Sequence, residues 1–153
     1  MTEPLWLTEA EQRTWRAYIE SATLLMESLD RSLQQDAGMP HAYYFILMRL
    51  SESPESSMRM SELAAATRSS RSRLSHAVSR LSERGWVERL DCETDRRGQI
   101  ARLTDSGFRA LQAAAPGHVT AVRQFVIDRL DKDQLEQLEQ IGSQILAALP
   151  NSD

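Results

Sequence analysis

The order of short patterns between residues 60 and 104 constrains the fold more than any other feature of the sequence. Two helical patterns, "MSELAAAT" and "RSRLSHAVSRLSERG", are separated by the turn-like "RSS". Ser61 is positioned to cap the first helix, and Gly85 supplies the left-handed residue that ends the second. Two strand-like runs, "WVERL" and "QIARL", then flank the tip "DCETDRRG" and can pair as an antiparallel ribbon. This order predicts a winged helix–turn–helix.

The second of these helical patterns has two contrasting faces. At about 100° per residue, its apolar side chains fall on one face and its polar, small or basic side chains on the other. The apolar face consists of Leu74, Ala77, Val78 and Leu81. The opposite face consists of Ser69, Ser72, Arg73, His76, Ser79 and Arg80. We therefore expect one face to pack against the protein and the other to meet a polar partner.

A long helix and a second, more apolar helix precede this region. "TEAE" matches a capping box formed by Thr8 and Glu11, and Gly38 is expected to end the first helix. Apolar residues recur along it at alternating spacings of four and three, which is typical of a coiled-coil seam. The seam consists of Trp15, Ile19, Ala22, Met26, Leu29 and Leu33. The second helix, "HAYYFILMRLSES", is expected to begin near Pro40, to be buried, and to end before Pro54.

Two further helices are predicted after the ribbon. Thr104 is positioned to cap the first, and Pro116 with Gly117 either kinks or breaks it, a kink being the favoured interpretation. The second opens with a capping box of Asp131 and Gln134. Its apolar stripe consists of Leu135, Leu138, Ile141, Ile145 and Leu149. Since 153 residues are too few for two independent cores, the sequence predicts one mainly α domain with a small β wing.

Charge is distributed unevenly along the chain. Residues 59–109 contain eleven arginines and seven acidic residues, which gives this segment a net charge of +4. Because the whole chain has a net charge of −4, the other residues together have a net charge of −8. A basic centre between acidic flanks is expected where one lobe meets nucleic acid, although an arginine-rich solvated surface is an equally simple reading of charge alone. No apolar run is long enough to cross a membrane, and the N-terminus lacks the pattern of a secretion signal. We expect a cytoplasmic protein.

Several motifs in the same order resemble the MarR family of bacterial transcriptional regulators. "MSELA" precedes the turn, "LSERGWVER" closes the second helix, "DRRG" lies in the wing and "LTDSG" opens the next helix. "SRSRLSH" and "AAAPGHV" are similar to a subset of relatives. The resemblance covers nearly the whole chain and implies a winged helix–turn–helix lobe over 57–103 and a helical dimerisation lobe over 1–37 and 118–153. It also implies an obligate homodimer, which would account for the long apolar seams.

The resemblance and the polar helix face together imply a set of DNA contacts. Arg97 corresponds to the wing residue that enters the minor groove, where a guanidinium fits the concentrated negative potential. Asp95 would buttress the tip and Gly98 would permit its turn. In the major groove, Arg73 is the expected base contact and Arg80 the expected phosphate contact. The full set is Ser69, Ser72, Arg73, His76, Arg80, Asp95, Arg96, Arg97 and Gly98.

Two of these assignments have open alternatives. Many relatives carry Arg or Lys where this chain has His76, and a histidine is a weaker phosphate anchor at neutral pH. Arg73 and Arg80 could instead form helix-surface pairs with Glu83 or Glu88.

Other functional sites are less strongly indicated. The resemblance places an effector pocket between the dimerisation and DNA-binding lobes, with Trp15, His41 and Tyr44 as tentative contacts, although core or dimer packing is the favoured interpretation of these residues. Cys92 is expected to be a bystander, because the acidic residues beside it oppose thiolate formation. The histidines and Cys92 lack the local spacing of a metal site, so neither a metal nor another cofactor is expected.

Catalytic motifs are missing from the sequence. It contains no GxSxG elbow, HExxH, phosphate loop or GxGxxG, so an enzyme is not expected. A winged helix that binds protein instead of DNA remains the main alternative, against which the charged polar face argues. The sequence therefore predicts a homodimeric regulator, a ligand-responsive repressor, that binds a pseudo-palindromic operator in double-stranded DNA.

Overall fold

The computed structural model describes residues 5–92 and 95–150, and over 95–97 it describes the backbone alone. These residues form six α-helices and three β-strands, which confirms the predicted mainly α fold with a small β wing. The helices are α1 (Glu9–Ala37), α2 (His41–Ser51), α3 (Met60–Ala66), α4 (Arg71–Glu83), α5 (Asp105–Phe125) and α6 (Lys132–Ala148). The strands are β1 (Ser57–Arg59), β2 (Val87–Cys92) and β3 (Asp95–Leu103). Single 3₁₀ turns cover Pro54–Ser56 and Ile127–Arg129.

The predicted ends of α1 are confirmed. The Thr8 hydroxyl accepts from the Glu11 N–H at 3.3 Å, and the Glu11 carboxylate accepts from the Thr8 N–H at 2.7 Å. Gly38 ends the helix with φ +60°, a left-handed conformation that glycine adopts without steric cost. Pro40 is the N-cap residue of α2 and so lies just before the first turn of the helix. These local signals fix the length of α1 and the sharp reversal into α2.

The helix–turn–helix is present, but its first cap differs from the prediction. Ser61 lies inside the first turn of α3, whose N-cap residue is Arg59, so the assignment of Ser61 as the cap is wrong. The reason is tertiary, since pairing of β1 with β3 holds Arg59 extended until the helix begins. The Glu62 carboxylate then accepts from the Arg59 N–H at 3.4 Å. At the next helix, Ser70 caps α4 by accepting from the Arg73 N–H at 3.3 Å.

The wing is a three-stranded antiparallel sheet of order β1–β3–β2, not the predicted two-stranded ribbon. β1 pairs with the C-terminal half of β3, from Ser57 opposite Arg102 to Arg59 opposite Ile100. The tip also differs from the prediction, because residues 91–92 and 95–98 belong to strands. The register shifts between the pairs Asp91–Gln99 and Cys92–Asp95. A bulge in β3 therefore absorbs residues that the sequence reading assigned to the tip.

Helix α5 runs without interruption across Pro116, so the alternative of a broken and restarted helix is wrong. As predicted, the Thr104 hydroxyl caps it by accepting from the Gly107 N–H at 3.0 Å. Gly107 lies against the chain before β2, where a Cβ atom would stand 2.1 Å from the Trp86 carbonyl oxygen. Only glycine fits this contact, which holds the start of α5 against the segment that joins α4 to β2.

The hydrophobic core lies beneath the helix–turn–helix and extends to the C-terminal end of α1. Its most deeply buried side chains are Leu33, Met39, Leu47, Leu50, Leu63, Leu74, Val78 and Leu81. By contrast, α6 has no buried residue and the first half of α1 has none either. The predicted α1 seam is thus divided, with Leu29 and Leu33 in the core and Trp15, Ile19 and Met26 exposed. No described helix is both long and apolar enough to cross a bilayer.

Candidate nucleic-acid interface

Helix α4 presents its polar face to solvent because its apolar face is fully engaged. Leu74, Val78 and Leu81 are each no more than 1% exposed, and fully burying such a side chain contributes about 1.5–3 kcal/mol. The exposed residues on the other face are Ser72, Arg73, His76 and Arg80, with Ser69 partly buried in the preceding turn. Burial therefore confirms the apolar face at Leu74, Val78 and Leu81, whereas Ala77 and Ser79 are both partly buried. Four of the five proposed major-groove residues are accessible.

The two arginines on this face differ in their surroundings. Among the described residues, Arg73 has no ion-pair partner. Arg80 pairs with Glu83 at 3.1 Å, which is the helix-surface alternative anticipated for it. Both partners of that pair are more than half exposed, and exposed ion pairs contribute only about 0–1 kcal/mol. A phosphate could therefore replace Glu83 at little cost.

Arg89 on β2 braces α4, a role that the sequence reading missed. Its Nη2 donates to both the carbonyl oxygen and the hydroxyl oxygen of Ser75, each at 2.9 Å. The side chain is half-buried between strand and helix. These hydrogen bonds connect the wing directly to the middle of α4. The only sequence signal is an arginine within an otherwise alternating strand, which does not identify its partner.

The predicted wing contacts lie largely outside the described part. The side chains of Asp95, Arg96 and Arg97 are not described, although their backbone forms the start of β3. Gly98 lies within β3 next to the register shift, so its expected place in the hairpin turn is wrong.

A cluster of aromatic and imidazole rings joins α2 and α5. The His118 ring lies 4.4 Å from the Tyr44 ring and 5.5 Å from the His41 ring, measured between centroids. The backbone N–H of His41 donates to Asp30 Oδ1 at 2.8 Å. Two of the three tentative effector contacts, His41 and Tyr44, are thus brought together. Tyr44 is only 6% exposed, which fits core packing.

Burial shifts the proton affinities of this ring cluster. It lowers the pKa of His41, and the charge of Asp30 partly opposes that effect. It also lowers the pKa of His118, which the neighbouring His41 lowers further. Burial raises the pKa of Tyr44, with a smaller contribution from Glu52. All three side chains therefore favour their neutral forms.

Trp15 is separate from this cluster. It is 51% exposed and its ring lies 6.3 Å from that of Tyr18. Along the helix axis, Trp15 and Asp30 are about 22 Å apart at 1.5 Å per residue. The structure therefore does not place Trp15 with His41 and Tyr44.

An open cavity of about 710 Å³ adjoins His41 between α1, α2 and the end of α3. It is lined by Met26, Glu27, Asp30, His41, Ala42, Phe45 and Thr67. His41 is the one tentative effector contact on its wall. Within residues 5–92 and 95–150, no three histidine, cysteine or acidic side chains are grouped to hold a metal ion. Cys92 is buried at the end of β2.

Known proteins are similar to this chain in both amino-acid sequence and backbone structure. The family model described as "MarR family" matches residues 37–98. Sco3205, a MarR family transcriptional regulator from Streptomyces coelicolor crystallised in complex with DNA, is 55% identical, with a TM-score of 0.94 over 98% of this chain and 94% of its own. AbsC, another MarR family regulator from Streptomyces coelicolor, is 42% identical, with a TM-score of 0.89 over 94% of this chain and 97% of its own. The chain belongs to the MarR family.

A curated MarR-like relative is more distant. The transcriptional repressor MprA of Escherichia coli K12 is 30% identical over 116 residues, which cover 74% of this chain. The match spans 65% of MprA's own length. The resemblance inferred from "LSERGWVER", "DRRG" and "LTDSG" is thus confirmed. As a MarR-family transcriptional regulator, the protein is not an enzyme, in agreement with the sequence reading.

Proposed function

We propose that this MarR-family regulator binds a pseudo-palindromic DNA operator as a homodimer and represses transcription in a ligand-responsive manner. The observation that carries the proposal is the polar, arginine-bearing face of α4, where Arg73, His76 and Arg80 are exposed while Leu74, Val78 and Leu81 on the opposite face are buried. It lies in the segment of residues 59–109 whose net charge is +4 in an otherwise acidic chain. Such a face suits a polyanion better than a protein surface, whose interface centre would be depleted of charge.

In this proposal α4 enters the major groove and the wing enters the adjacent minor groove. Arg73 contacts a base edge, and Arg80 exchanges Glu83 for a phosphate oxygen. Ser69, Ser72 and His76 line the same groove. In the wing, Arg97 inserts into the minor groove, with Asp95 and Arg96 beside it. The DNA complex of the 55% identical Sco3205 supports a DNA ligand for this surface.

The homodimer is supported by the apolar surface that the single chain leaves uncovered. Trp15, Ile19 and Met26 on α1 are 39–51% exposed, and Leu138 and Ile141 on α6 are similarly accessible. Large apolar side chains on two helices are typical of an interface between subunits. A two-fold dimer would present two α4 helices to half-sites about 34–36 Å apart, one turn of the duplex.

Ligand response and repression are the finer parts of the proposal. The cavity beside His41 lies between α1 and the helix–turn–helix. A ligand with different affinity for two spacings of the recognition helices would shift their populations and release one half-site. Repression is supported by the relative MprA, which is named a transcriptional repressor.

Operator binding is the decisive test. Sites selected from random duplex DNA would be titrated with protein by fluorescence anisotropy between about 50 mM and about 200 mM salt, where true phosphate contacts give a steep loss of affinity. We expect Arg73→Ala to weaken binding by about 1–3 kcal/mol and to relax preference at one base position. Arg97→Ala should weaken binding to all sequences and reduce the salt slope by about one.

The matched control is Arg13→Ala, which removes the same charge from the exposed N-terminal half of α1. Its operator affinity should equal that of the parent. If Arg73→Ala also binds as the parent does, the assignment of α4 as the reading helix is wrong. If the parent protein shows no duplex affinity even at low salt, the surface serves a protein partner instead.

A further inference from the structure

One arginine joins the end of α4 to the end of α1 and the start of α2. Arg84 is the residue at which α4 ends, and its Nη1 donates to the Gly38 carbonyl oxygen at 3.2 Å. The Cζ atom of the same guanidinium lies 5.6 Å from the centroid of the Tyr43 ring and 5.0 Å from that of the Trp86 ring. The hydrogen bond connects residues that are 46 positions apart in the chain. Arg84 therefore bridges elements that the sequence separates.

The backbone on both sides of this bridge is held by hydrogen bonds. After α4, the N–H groups of Gly85 and Trp86 donate back to carbonyl oxygens of the helix at 2.9 Å and 3.0 Å, the two hydrogen bonds of a Schellman motif. After α1, the Gly38 N–H donates back into its own helix at 3.0 Å. A side chain fixed between two such helix ends can transmit the position of one helix to the other.

The charge of Arg84 also suits its place beside α1. The C-terminal end of a helix carries partial negative charge, which a nearby cation stabilises. The last turn of α1 has no basic residue of its own, and it contains Asp36. The Arg84 guanidinium at the Gly38 carbonyl supplies the cation from a different element. This attraction consequently depends on where α4 lies relative to α1.

Apolar packing defines the orientation of α4 less strictly than this bridge does. Leu33 of α1, Leu47 of α2 and Leu81 of α4 belong to one buried cluster, but hydrophobic attraction is non-directional. A hydrogen bond weakens when its angle bends, and a planar guanidinium stacks only while it faces the ring. Arg84 is itself exposed, and interactions between exposed charged groups contribute little to stability. Its contacts are thus better suited to fixing an angle than to holding the fold together.

We propose that Arg84 is a positioning residue, which holds α4 at one orientation to α1 and α2 and so sets the half-site spacing that the dimer accepts. This inference rests on the proposed binding of an operator by a homodimer. In that proposal α1 belongs to the lobe that joins the subunits, whereas α4 reads the DNA. A two-fold axis repeats any tilt of α4 in both subunits, so the distance between the two α4 helices changes by both tilts together. Loss of the bridge should leave each half-site readable but make the spacing less strict.

Operators that differ only in half-site spacing test this role. One base pair inserted or deleted between the half-sites moves one of them by about 3.4 Å and rotates it by about 35°. Fluorescence anisotropy would give the spacing ratio, which is the affinity for the selected operator divided by that for the altered one. The bridge can enforce a spacing only with its own interaction energy, which for one charged hydrogen bond and two ring contacts corresponds to about a tenfold effect or more. We expect Arg84→Met to lower the spacing ratio by about tenfold.

Two more substitutions separate positioning from charge. Arg84→Lys keeps the positive charge but loses the planar group that stacks on the rings, so it should lower the spacing ratio as Arg84→Met does. Tyr43→Leu removes one ring and leaves Arg84 in place, and it should lower the ratio by about threefold. Urea unfolding would confirm that each variant is folded.

Arg49→Met is the matched control. The Arg49 guanidinium also lies over a ring, 5.0 Å from the centroid of Phe45, and it pairs with Glu52 at 3.7 Å. These partners belong to α2 and to the residue that ends it, so the described contacts of Arg49 bridge no second helix. Its removal should leave the spacing ratio of the parent unchanged.

The possible results separate this role from the proposed function. Folded Arg84 variants that keep the parent's spacing ratio overturn the positioning role, even if they bind every operator more weakly. A salt slope reduced by about one in Arg84→Met and restored in Arg84→Lys also overturns it, because Arg84 would then be a phosphate contact. A parent protein that binds all spacings equally contradicts it as well. A parent protein without duplex affinity overturns the proposed operator binding, and the inference with it.

Discussion

Replacement of Arg89 should weaken both folding and DNA binding, because this side chain connects the wing to α4. Its Nη2 makes two hydrogen bonds of 2.9 Å to Ser75. Hydrogen bonds from a charged donor contribute about 1.5–3 kcal/mol each, but the Ser75 carbonyl also accepts from the Ser79 hydroxyl at 3.0 Å and would not be left unpaired. Because that carbonyl keeps a partner, and because Arg89 Nε is already buried without one among the described residues, we expect Arg89→Met to reduce the free energy of unfolding by about 2 kcal/mol, below the summed range of about 3–6 kcal/mol.

The effect on DNA follows from the lost position of the helix. If the misplaced helix makes the free energy of operator binding less favourable by about 1.4 kcal/mol, operator affinity falls about tenfold. Unfolding in urea would be followed by far-ultraviolet circular dichroism at fixed protomer concentration, because dimerisation links stability to concentration. Operator affinity would be measured by fluorescence anisotropy.

Ser75→Ala is the partner control for this brace. It removes the hydroxyl acceptor and keeps the carbonyl, so it should cost about half as much, near 1 kcal/mol. Combined with Arg89→Met, it should cost less than the sum of the single changes, since both remove the same hydrogen bond. An Arg89→Met protein within about 0.5 kcal/mol of the parent, with unchanged operator affinity, would refute the reasoning.

Two further predictions concern packing and pH. Gly107→Ala places a Cβ atom 2.1 Å from the Trp86 carbonyl oxygen and should lower the free energy of unfolding in urea by about 1–3 kcal/mol or more. The control Gly142→Ala, whose Cβ atom would have nothing within 4 Å, should raise it by about 0.5–1 kcal/mol. Equal effects of the two substitutions would contradict the close contact at Gly107. Because the folded-state pKa values of His41 and His118 are lowered, the unfolded chain takes up protons first as pH falls, so stability present above about pH 6.5 should be lost below it. His118→Phe should reduce the loss in unfolding free energy between about pH 7.5 and about pH 5.5, and an unchanged loss would argue against this pair.

Much of the site was readable from the sequence because its signals are local. The polar face of α4 follows from residue spacing on one helix, and burial confirms it at Leu74 and Val78. The brace from Arg89 to Ser75 was not readable, because the two residues lie 14 positions apart on different elements. The meeting of His41 with His118 was hidden for the same reason, since it depends on how α2 and α5 pack.

The sequence by itself determined both ends of α1 and the start of α6. Thr8 with Glu11 and Asp131 with Gln134 cap helices through partners three residues away, and Gly38 ends α1 through its own backbone conformation. Such interactions need no tertiary context, so the sequence is enough to predict them.

Only the tertiary structure decided the third strand of the wing, the bulge and the true start of α3. β1 has three residues and no strong strand pattern, yet its pairing with β3 sets Arg59, not Ser61, as the residue that precedes α3. Strand pairing gains its hydrogen bonds from residues distant in the chain, and the register depends on both partners at once. A local reading identifies strand-like runs, but the folded sheet determines which of them pair and where they bulge.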